Sequence, residues 1–107
     1  LCSSTRGVFA GGTNSPNNII DFVTIASAGN ASDFGDLITG NTAAHSSTSN
    51  KIRGVFMGGD LQPSNAFTNT MQFVTIATTG DSLDFGDMLT VGAYRNATSD
   101  SHGGLTE

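Results

Sequence analysis

The chain has 107 residues, a formal net charge of −5 and only 12% charged residues, so Ser, Thr, Asn and Gly supply most of its polar surface. Its basic residues, Arg6, Lys51, Arg53 and Arg95, are scattered, which argues against nucleic-acid binding. No apolar run approaches the roughly 20 residues of a membrane-spanning helix. Cys2 is the single cysteine, which excludes an internal disulfide, and we expect a small buried thiol there.

The chain contains two copies of one unit of about 50 residues. RGVFAGG at residues 6–12 recurs 47 residues later as RGVFMGG at residues 53–59. FVTIASAGNASDFGD at residues 22–36 recurs 51 residues later as FVTIATTGDSLDFGD at residues 73–87, with ten of fifteen residues identical. Self-similarity at this period predicts a repeat architecture.

Each unit divides into four predicted strands. GVFA or GVFM between glycines is typical of a buried strand, and the β-branched and aromatic run ending in FVTIA predicts the strongest strand. The first unit, residues 1–52, has predicted strands at 6–12, 19–27, 33–39 and 43–50; the second, residues 53–107, at 53–59, 71–78, 84–90 and 95–101. No apolar period of 3.6 persists over ten residues, so the sequence predicts an all-β fold with essentially no helix.

Two short motifs recur in both units. The double glycines predict backbone angles, or a close approach, that a Cβ would forbid. DFGD has the composition of a structural corner, in which Asp caps turn amides, Phe fills the core between units and Gly takes an unusual backbone angle. The structural repeat residues so predicted are Gly11, Gly12, Gly58, Gly59, Asp33, Phe34, Gly35, Asp36, Asp84, Phe85, Gly86 and Asp87.

Catalytic and metal-binding interpretations of these motifs are weaker. DFGD lacks the other kinase motifs, and its aspartates lack the dense Asp/Asn/Gly series of a calcium loop. His45 and His102 have no nucleophile-elbow motif nearby and with Cys2 make a weak zinc set, so solvated or hydrogen-bonded loop histidines are expected. Arg6 and Arg53 are expected to pair with aspartates of the same or the neighbouring unit. No catalytic residue, metal or cofactor is predicted.

The loops after the double glycines differ most between the two copies, at residues 13–21 and 60–72. Variable loops on a repeated scaffold commonly carry binding, and amide and carboxylate groups suit hydroxyl-rich ligands. Tyr94 is the only tyrosine and a candidate for sugar stacking or for an interface between units. The candidate ligand-binding residues are Asn14, Asn17, Asp60, Gln62, Asn65 and Tyr94.

The repeated pattern RGVFxGG…FVTIAxxG…DFGD resembles a kelch-type blade, although the chain has no Trp and Phe34 and Phe85 supply the aromatic anchor. It resembles more closely the kelch-like repeat proteins of bacteriophages, from Arg6 to about Gly104. The resemblance implies a kelch-like β-propeller of four-stranded antiparallel blades. It also implies a non-enzymatic phage structural or adhesion element, such as a tail fibre, located on the virion or outside the cell. Such an element would contact a host-surface glycan or protein.

Two blades are fewer than the four to eight of a propeller. Either further blades flank this segment in a longer protein, or several copies complete a ring. The chain starts and stops at nearly the same phase of the unit, as head-to-tail association requires. We expect a homotrimer with six blades, and two or four copies would give four or eight. Alternative functions are a purely structural, self-assembling module without a ligand and a propeller-based enzyme.

Overall fold

The computed structural model describes residues 1–12, 18–38, 42–43, 45–61, 66–92 and 96–99. Within them the chain is all-β, with nine strands and no helix, which confirms the predicted fold class at this level. None of the described residues form a helix that could cross a membrane. The strands are β1 (Arg6–Ala10), β2 (Ile19–Thr24), β3 (Ser32–Asp36), β4 (Thr42–Ala43), β5 (Ser46–Ser49), β6 (Arg53–Met57), β7 (Asp60–Leu61), β8 (Ala66–Thr75) and β9 (Leu83–Gly92).

The strands form two antiparallel sheets that remain open over the described residues. The first sheet has three strands in the order β1-β2-β3. The second has four strands in the order β5-β6-β8-β9. The short strands β4 and β7 pair with each other, and β7 pairs with the start of β8. This pairing explains why β8 begins five residues before the predicted strand at 71–78.

A polar segment precedes the RGVF strand in each sheet. The segment predicted as one strand at 43–50 is divided into β4 and β5, and β5 pairs with β6 of the second sheet. Ser49 lies opposite Gly54, and 47 residues earlier Cys2 forms a single bridge with Gly7. The Cys2 thiol is free and half-buried. Residues 96–99, the described part of the predicted strand at 95–101, are not in a strand.

The repeat in sequence is also a repeat in hydrogen bonding. The turn before each RGVF strand is closed by a side-chain oxygen, because Ser3 Oγ accepts the Arg6 N–H and Asn50 Oδ1 accepts the Arg53 N–H. Four backbone bonds of the first sheet recur in the second: Ser3 to Arg6, Gly11 to Ile19, Ile25 to Thr5 and Ser27 to Thr24, matched by Asn50 to Arg53, Gly58 to Thr70, Ile76 to Ile52 and Thr78 to Thr75.

The double glycines have the backbone angles predicted for them. The φ angles are 73° at Gly11, 146° at Gly12, 64° at Gly58 and 113° at Gly59, which side-chain-bearing residues rarely adopt. At Gly58 a Cβ would also stand 2.6 Å from the carbonyl oxygen of Gly92. Glycine at this position therefore meets both a conformational and a steric requirement.

Strand alternation gives each sheet two distinct faces. The arginine face carries the Arg of RGVF and the side chains that share its side of the sheet: Arg6, Val8, Ile20, Phe22 and Phe34 in the first sheet, and Arg53, Val55, Met71, Phe73 and Phe85 in the second. The reverse face carries the alternate residues and the Ile that follows: Phe9, Asp21, Val23 and Ile25 in the first sheet, and Phe56, Gln72, Val74 and Ile76 in the second.

The hydrophobic core lies between unlike faces of the two sheets. Val8, Ile20 and Phe34 enter it from the arginine face of the first sheet. Phe56, Val74 and Ile76 enter it from the reverse face of the second sheet, and Leu37 completes the buried cluster. The two repeats are therefore stacked in the same sense, front to back.

Candidate functional site

The DFGD motif of the first sheet forms a β-bulge. Ile20 pairs with Gly35 and Asp21 pairs with Asp33, so Phe34 is an extra residue on β3. A bulge bends its strand and redirects the side chain of the extra residue. Here the redirected side chain is that of Phe34, which points into the core.

The same bulge recurs in the second sheet, where Phe85 is the extra residue between the pairs formed by Gly86 and Asp84. The rings of Phe34 and Phe22 meet edge to face with their centroids 5.9 Å apart. The rings of Phe85 and Phe73 meet in the same way at 6.0 Å. DFGD therefore serves one structural purpose twice.

Each RGVF arginine lies over the phenylalanine of its own sheet. The Arg6 guanidinium carbon is 4.4 Å from the Phe22 ring centroid, and that of Arg53 is 4.5 Å from the Phe73 centroid. No aspartate pairs with either arginine in the described part of the chain, so the predicted ion pairs are not found there. The register explains this result. The strand pairing places each arginine on the same face of the sheet as the phenylalanine ring, which lies diagonally opposite it on the neighbouring strand.

The free edge of β3 binds the turn of the second repeat. The Gly80 N–H donates to the Phe34 carbonyl at 2.7 Å, and the Ser82 N–H donates to the Asp36 carbonyl at 2.9 Å. The Asp36 N–H donates in return to Asp81 Oδ1 at 3.0 Å. Three hydrogen bonds thus fix the first sheet on the turn that joins β8 to β9.

Two further contacts hold the sheets together at their ends. Arg6 Nη1 donates to the Ile76 carbonyl at 3.0 Å. Ser49 Oγ donates to the Cys2 carbonyl at 3.0 Å, which joins β5 to the segment that precedes β1. The guanidinium of Arg6 therefore both covers an aromatic ring and reaches across to the other sheet.

A buried polar network completes the contact between the sheets. Gln72 is almost fully buried, and its Oε1 accepts the Ile38 N–H at 2.7 Å and the Ser82 hydroxyl at 2.6 Å. The Ile38 N–H also lies 2.9 Å from Ser82 Oγ. A satisfied polar network of this kind specifies one register between the sheets.

Equivalent residues of the two repeats differ sharply in exposure. Ile76 is 0% exposed and its counterpart Ile25 is 57% exposed; Phe34 is 2% exposed and Phe85 is 47% exposed. Phe56 is 2% exposed, whereas the corresponding Phe9 is 60% exposed. The reverse face of the first sheet and the arginine face of the second sheet are therefore both uncovered.

The four carboxylates of the DFGD motifs do not cap turn amides as predicted. Asp33, Asp36, Asp84 and Asp87 are exposed, and none of their carboxylates forms a hydrogen bond with the described residues. The turn amides of Arg6 and Arg53 are capped instead by Ser3 and Asn50. No group of three or more His, Cys, Asp or Glu side chains suited to a metal ion occurs within the described residues.

His45 is a hydrogen-bonded histidine between the two sheets. Its Nε2 lies 2.9 Å from the Ala10 carbonyl, and its ring meets Phe56 edge to face at 5.3 Å. Burial lowers the pKa of His45 below 6.5, against the opposing effect of the bond to Ala10. Since a carbonyl accepts, Nε2 carries the proton, and the buried Nδ1 has no partner among the described residues.

The predicted ligand-binding loops fall largely outside the described residues. Asp60 is half-buried in β7, and its buried Oδ1 has no hydrogen-bond partner in the described part of the chain. A binding role for Asp60 stays a prediction. Outside the described residues lie Asn14, Asn17, Gln62, Asn65, Tyr94 and His102.

Three open cavities lie on the described surface, and two of them are at equivalent positions of the two repeats. One of about 440 Å³ lies on the uncovered arginine face of the second sheet, where Arg53, Val55 and Phe85 line it together with Thr98 and Ser99. Two smaller cavities, of about 250 and 160 Å³, lie at equivalent positions beside the turns that follow β8 and β2. The largest of these three cavities therefore marks the uncovered face of the second sheet.

The sequence did not identify the residues that join the sheets. The sequence pattern does not single out Gln72 or Ser82, and it predicts Ile76 as part of a strand, whereas Ile76 is the buried residue of a turn. One signal is present in the sequence. In the aligned segments NIIDF and NTMQF, Gln72 stands where the first repeat has Asp21, which is a change to an uncharged group inside a predicted strand. Burial without a charged partner favours such a replacement.

Comparison of the chain with protein-family models, with curated proteins and with solved structures found no match.

Proposed function

We propose that the chain is a non-enzymatic β-propeller module whose two sheets are successive kelch-like blades. It serves as a structural or adhesion element of a phage, such as a tail fibre or receptor-binding appendage, on the virion or outside the cell. Its variable loops contact a host-surface glycan or protein. The phage context derives from the resemblance of the repeated sequence pattern.

The observation that supports this proposal most strongly is the front-to-back packing of the two sheets. Repeated blades around a common axis must each present one face to the opposite face of the next. Val8 and Phe34 of the arginine face meet Val74 and Ile76 of the reverse face in this sense. A two-sheet sandwich with its own closed core would instead leave both outer faces polar.

The roles of the repeated residues also favour a structural module. Phe34 and Phe85 are bulge residues that pack on a neighbouring ring, and Gly35 allows the second repeat to approach. The packing of the sheets therefore accounts for these residues that both repeats share. The variable loops remain the part of the chain where a ligand would be selected.

The adhesion role is tested by binding of the labelled 107-residue chain to a glycan array and to candidate host cells. We expect binding that is lost when the loop residues are replaced together, in a variant carrying Asn14→Ala, Asn17→Ala, Gln62→Ala and Asn65→Ala. The control replaces four exposed DFGD carboxylates, as Asp33→Ala, Asp36→Ala, Asp84→Ala and Asp87→Ala, and should retain binding. Absence of binding by the unmodified chain would refute the adhesion role.

The second candidate function is a purely structural module that associates only with itself. The uncovered faces around Ile25 and Phe85 favour it, because exposed apolar surfaces of this kind mark interaction sites. Self-association without any glycan or cell binding would support this alternative over adhesion.

A further inference from the structure

Each sheet leaves uncovered the face that its counterpart uses inside the chain. Among the described residues, no strand covers the arginine face of the second sheet, beside which only Thr98 and Ser99 lie, and none covers the reverse face of the first sheet. Inside the chain, these same two kinds of face meet and bury Phe34 and Ile76. The exposed counterparts, Phe85 and Ile25, therefore lie on complementary surfaces at opposite ends of the molecule.

We propose that the arginine face of the second sheet binds the reverse face of the first sheet of a second copy of this chain. This contact repeats, between chains, the one that already joins the two sheets within a chain. The inference rests on the proposed blade-to-blade packing and names its partner and its two surfaces.

The backbone groups needed for this contact are present at the equivalent positions. Within the chain, Gly80 and Ser82 donate to the edge of β3. Between chains, the N–H groups of Gly29 and Ala31 of the second copy would donate to the carbonyls of Phe85 and Asp87 at the edge of β9. Among the described strands β9 pairs only with β8, so no other described strand lies along its edge at Phe85 and Asp87.

The side chains that cross the contact also have counterparts. Arg53 would donate to the Ile25 carbonyl of the second copy, as Arg6 donates to that of Ile76. Asn30 of the second copy would accept the Asp87 N–H, as Asp81 accepts that of Asp36. Arg53 is the same residue type as Arg6, and the side-chain oxygen of Asn30 keeps the acceptor of Asp81.

One part of the buried network is altered between the copies. Gln72 corresponds to Asp21, whose carboxylate would accept a backbone N–H, but Ser82 corresponds to Ala31, which has no hydroxyl. The contact between chains would therefore lack the Ser82 hydroxyl bonds, although it keeps the backbone bonds. It is expected to be weaker than the contact within the chain.

Gly86 provides the sharpest test of the surface on the second sheet. A Cβ on the equivalent Gly35 would overlap the Gly80 carbonyl, whereas a Cβ on Gly86 meets nothing within 4 Å in a single chain. In the proposed contact, the Gly29 carbonyl of the second copy would occupy that empty space. Gly86→Ala should therefore block association beyond its effect on the backbone of the chain itself.

The contact is heterologous, since it joins two different surfaces. Repetition of such a contact gives a closed ring where the rotation divides a full turn and an open filament where it does not. Three copies would give a ring of six blades, the assembly expected from the sequence.

The experiment measures the mass of the 107-residue chain by light scattering and sedimentation over a series of concentrations. We expect the unmodified chain to reach a multiple of the mass of one chain and to dissociate on dilution. Gly86→Ala and Ile25→Asp should each weaken association at least about tenfold. Circular dichroism should stay unchanged, because both side chains are outside the core of a single chain.

Mixing the two variants distinguishes a heterologous contact from a symmetric one. Gly86→Ala retains an intact first-sheet surface and Ile25→Asp an intact second-sheet surface, so the mixture should form one-to-one dimers and nothing larger. Ile52→Asp is the matched control: Ile52 is 57% exposed and lies beside the reverse face of the second sheet, which is covered inside the chain and is not one of the two surfaces of the proposed contact. It should associate like the unmodified chain.

An unmodified chain that stays monomeric at all concentrations overturns this inference, as does a Gly86→Ala variant that associates normally. Either result, combined with glycan or cell binding, leaves the adhesion proposal intact. An assembled chain that binds no glycan or cell refutes the adhesion role and leaves the inference intact.

Discussion

The carbonyl group of Gly80 occupies the space in which a Cβ on Gly35 would lie, while the Gly80 N–H donates a 2.7 Å hydrogen bond to Phe34. The second repeat therefore approaches the bulge of the first as closely as backbone allows. Gly86, the counterpart of Gly35, has the same kind of backbone angle, 144° against 154°, but no such neighbour.

The different surroundings of Gly35 and Gly86 predict that the same substitution has unequal effects on stability at these two equivalent positions. Gly35→Ala and Gly86→Ala should each lower the free energy of unfolding by about 1–3 kcal/mol through backbone strain. Gly35→Ala should cost about 1–3 kcal/mol more, because the new Cβ overlaps the Gly80 carbonyl. Urea denaturation of dilute protein measures both values, and equal losses would contradict the close approach at Gly35.

The two arginines offer a second matched comparison. Arg6→Met and Arg53→Met should both lose a cation–π contact worth about 0.5–1 kcal/mol. Arg6→Met also leaves the fully buried Ile76 residue with an unpaired carbonyl, which adds about 1–3 kcal/mol. Thermal and urea denaturation should therefore show the larger loss for Arg6→Met, and a larger loss for Arg53→Met would contradict the assigned contact.

The repeated residues predicted the strands and the glycine conformations well, because these features depend on local sequence. The glycines at 11, 12, 58 and 59 have positive φ as expected, and each FVT segment forms a strand. Burial is different, because the identical DFGD motifs place one Phe in the core and one at the surface. Which copy is covered depends on the neighbouring sheet, and the local sequence carries no information about it.

The absence of the predicted Arg–Asp pairs from the described residues has a similar origin. Unlike charges in a sequence suggest ion pairs, but the strand register decides which side chains are neighbours. Arg6 pairs with Thr24 and Val8 pairs with Phe22, so the ring lies beside the guanidinium on the same face. The register depends on tertiary pairing, which a count of charges does not include.

The burial of His45 predicts that the free energy of unfolding falls in mild acid. Its pKa is lowered in the folded chain by burial, so the unfolded chain binds the proton more readily. The stabilisation is present above the unfolded value of 6.5 and is lost as the pH falls from there toward the folded value. His45→Gln keeps a donor for the Ala10 carbonyl and should remove this pH dependence.

The measurement for His45 is the free energy of unfolding of both proteins at neutral and mildly acidic pH. The unmodified chain should lose more stability than His45→Gln over this interval, because only the imidazole must become charged beside Phe56. Parallel pH profiles would show that the ring titrates in the folded chain as it does in water.

The first repeat has Asp21 and Ala31 where the second has Gln72 and Ser82, and this difference predicts a variant that associates more tightly. Ala31→Ser combined with Asp21→Gln would place the Ser82 and Gln72 side chains at the equivalent positions of the first repeat, and the new hydroxyl could then bond across the contact, as that of Ser82 bonds with the Ile38 N–H and the Asp36 carbonyl. One additional hydrogen bond contributes about 0.5–1.5 kcal/mol, so the dissociation constant should fall by a factor between about 2 and 12. Sedimentation over a concentration series measures this change.

Two controls separate that gain from its trivial causes. Asp84→Asn removes one exposed carboxylate on the reverse face of the second sheet, as Asp21→Gln removes one charge, and it should leave association unchanged. The double substitution should give no gain when combined with Gly86→Ala, because that variant lacks the receiving surface on β9. A gain that persists with Gly86→Ala would place the added contact elsewhere and contradict the proposed pairing of surfaces.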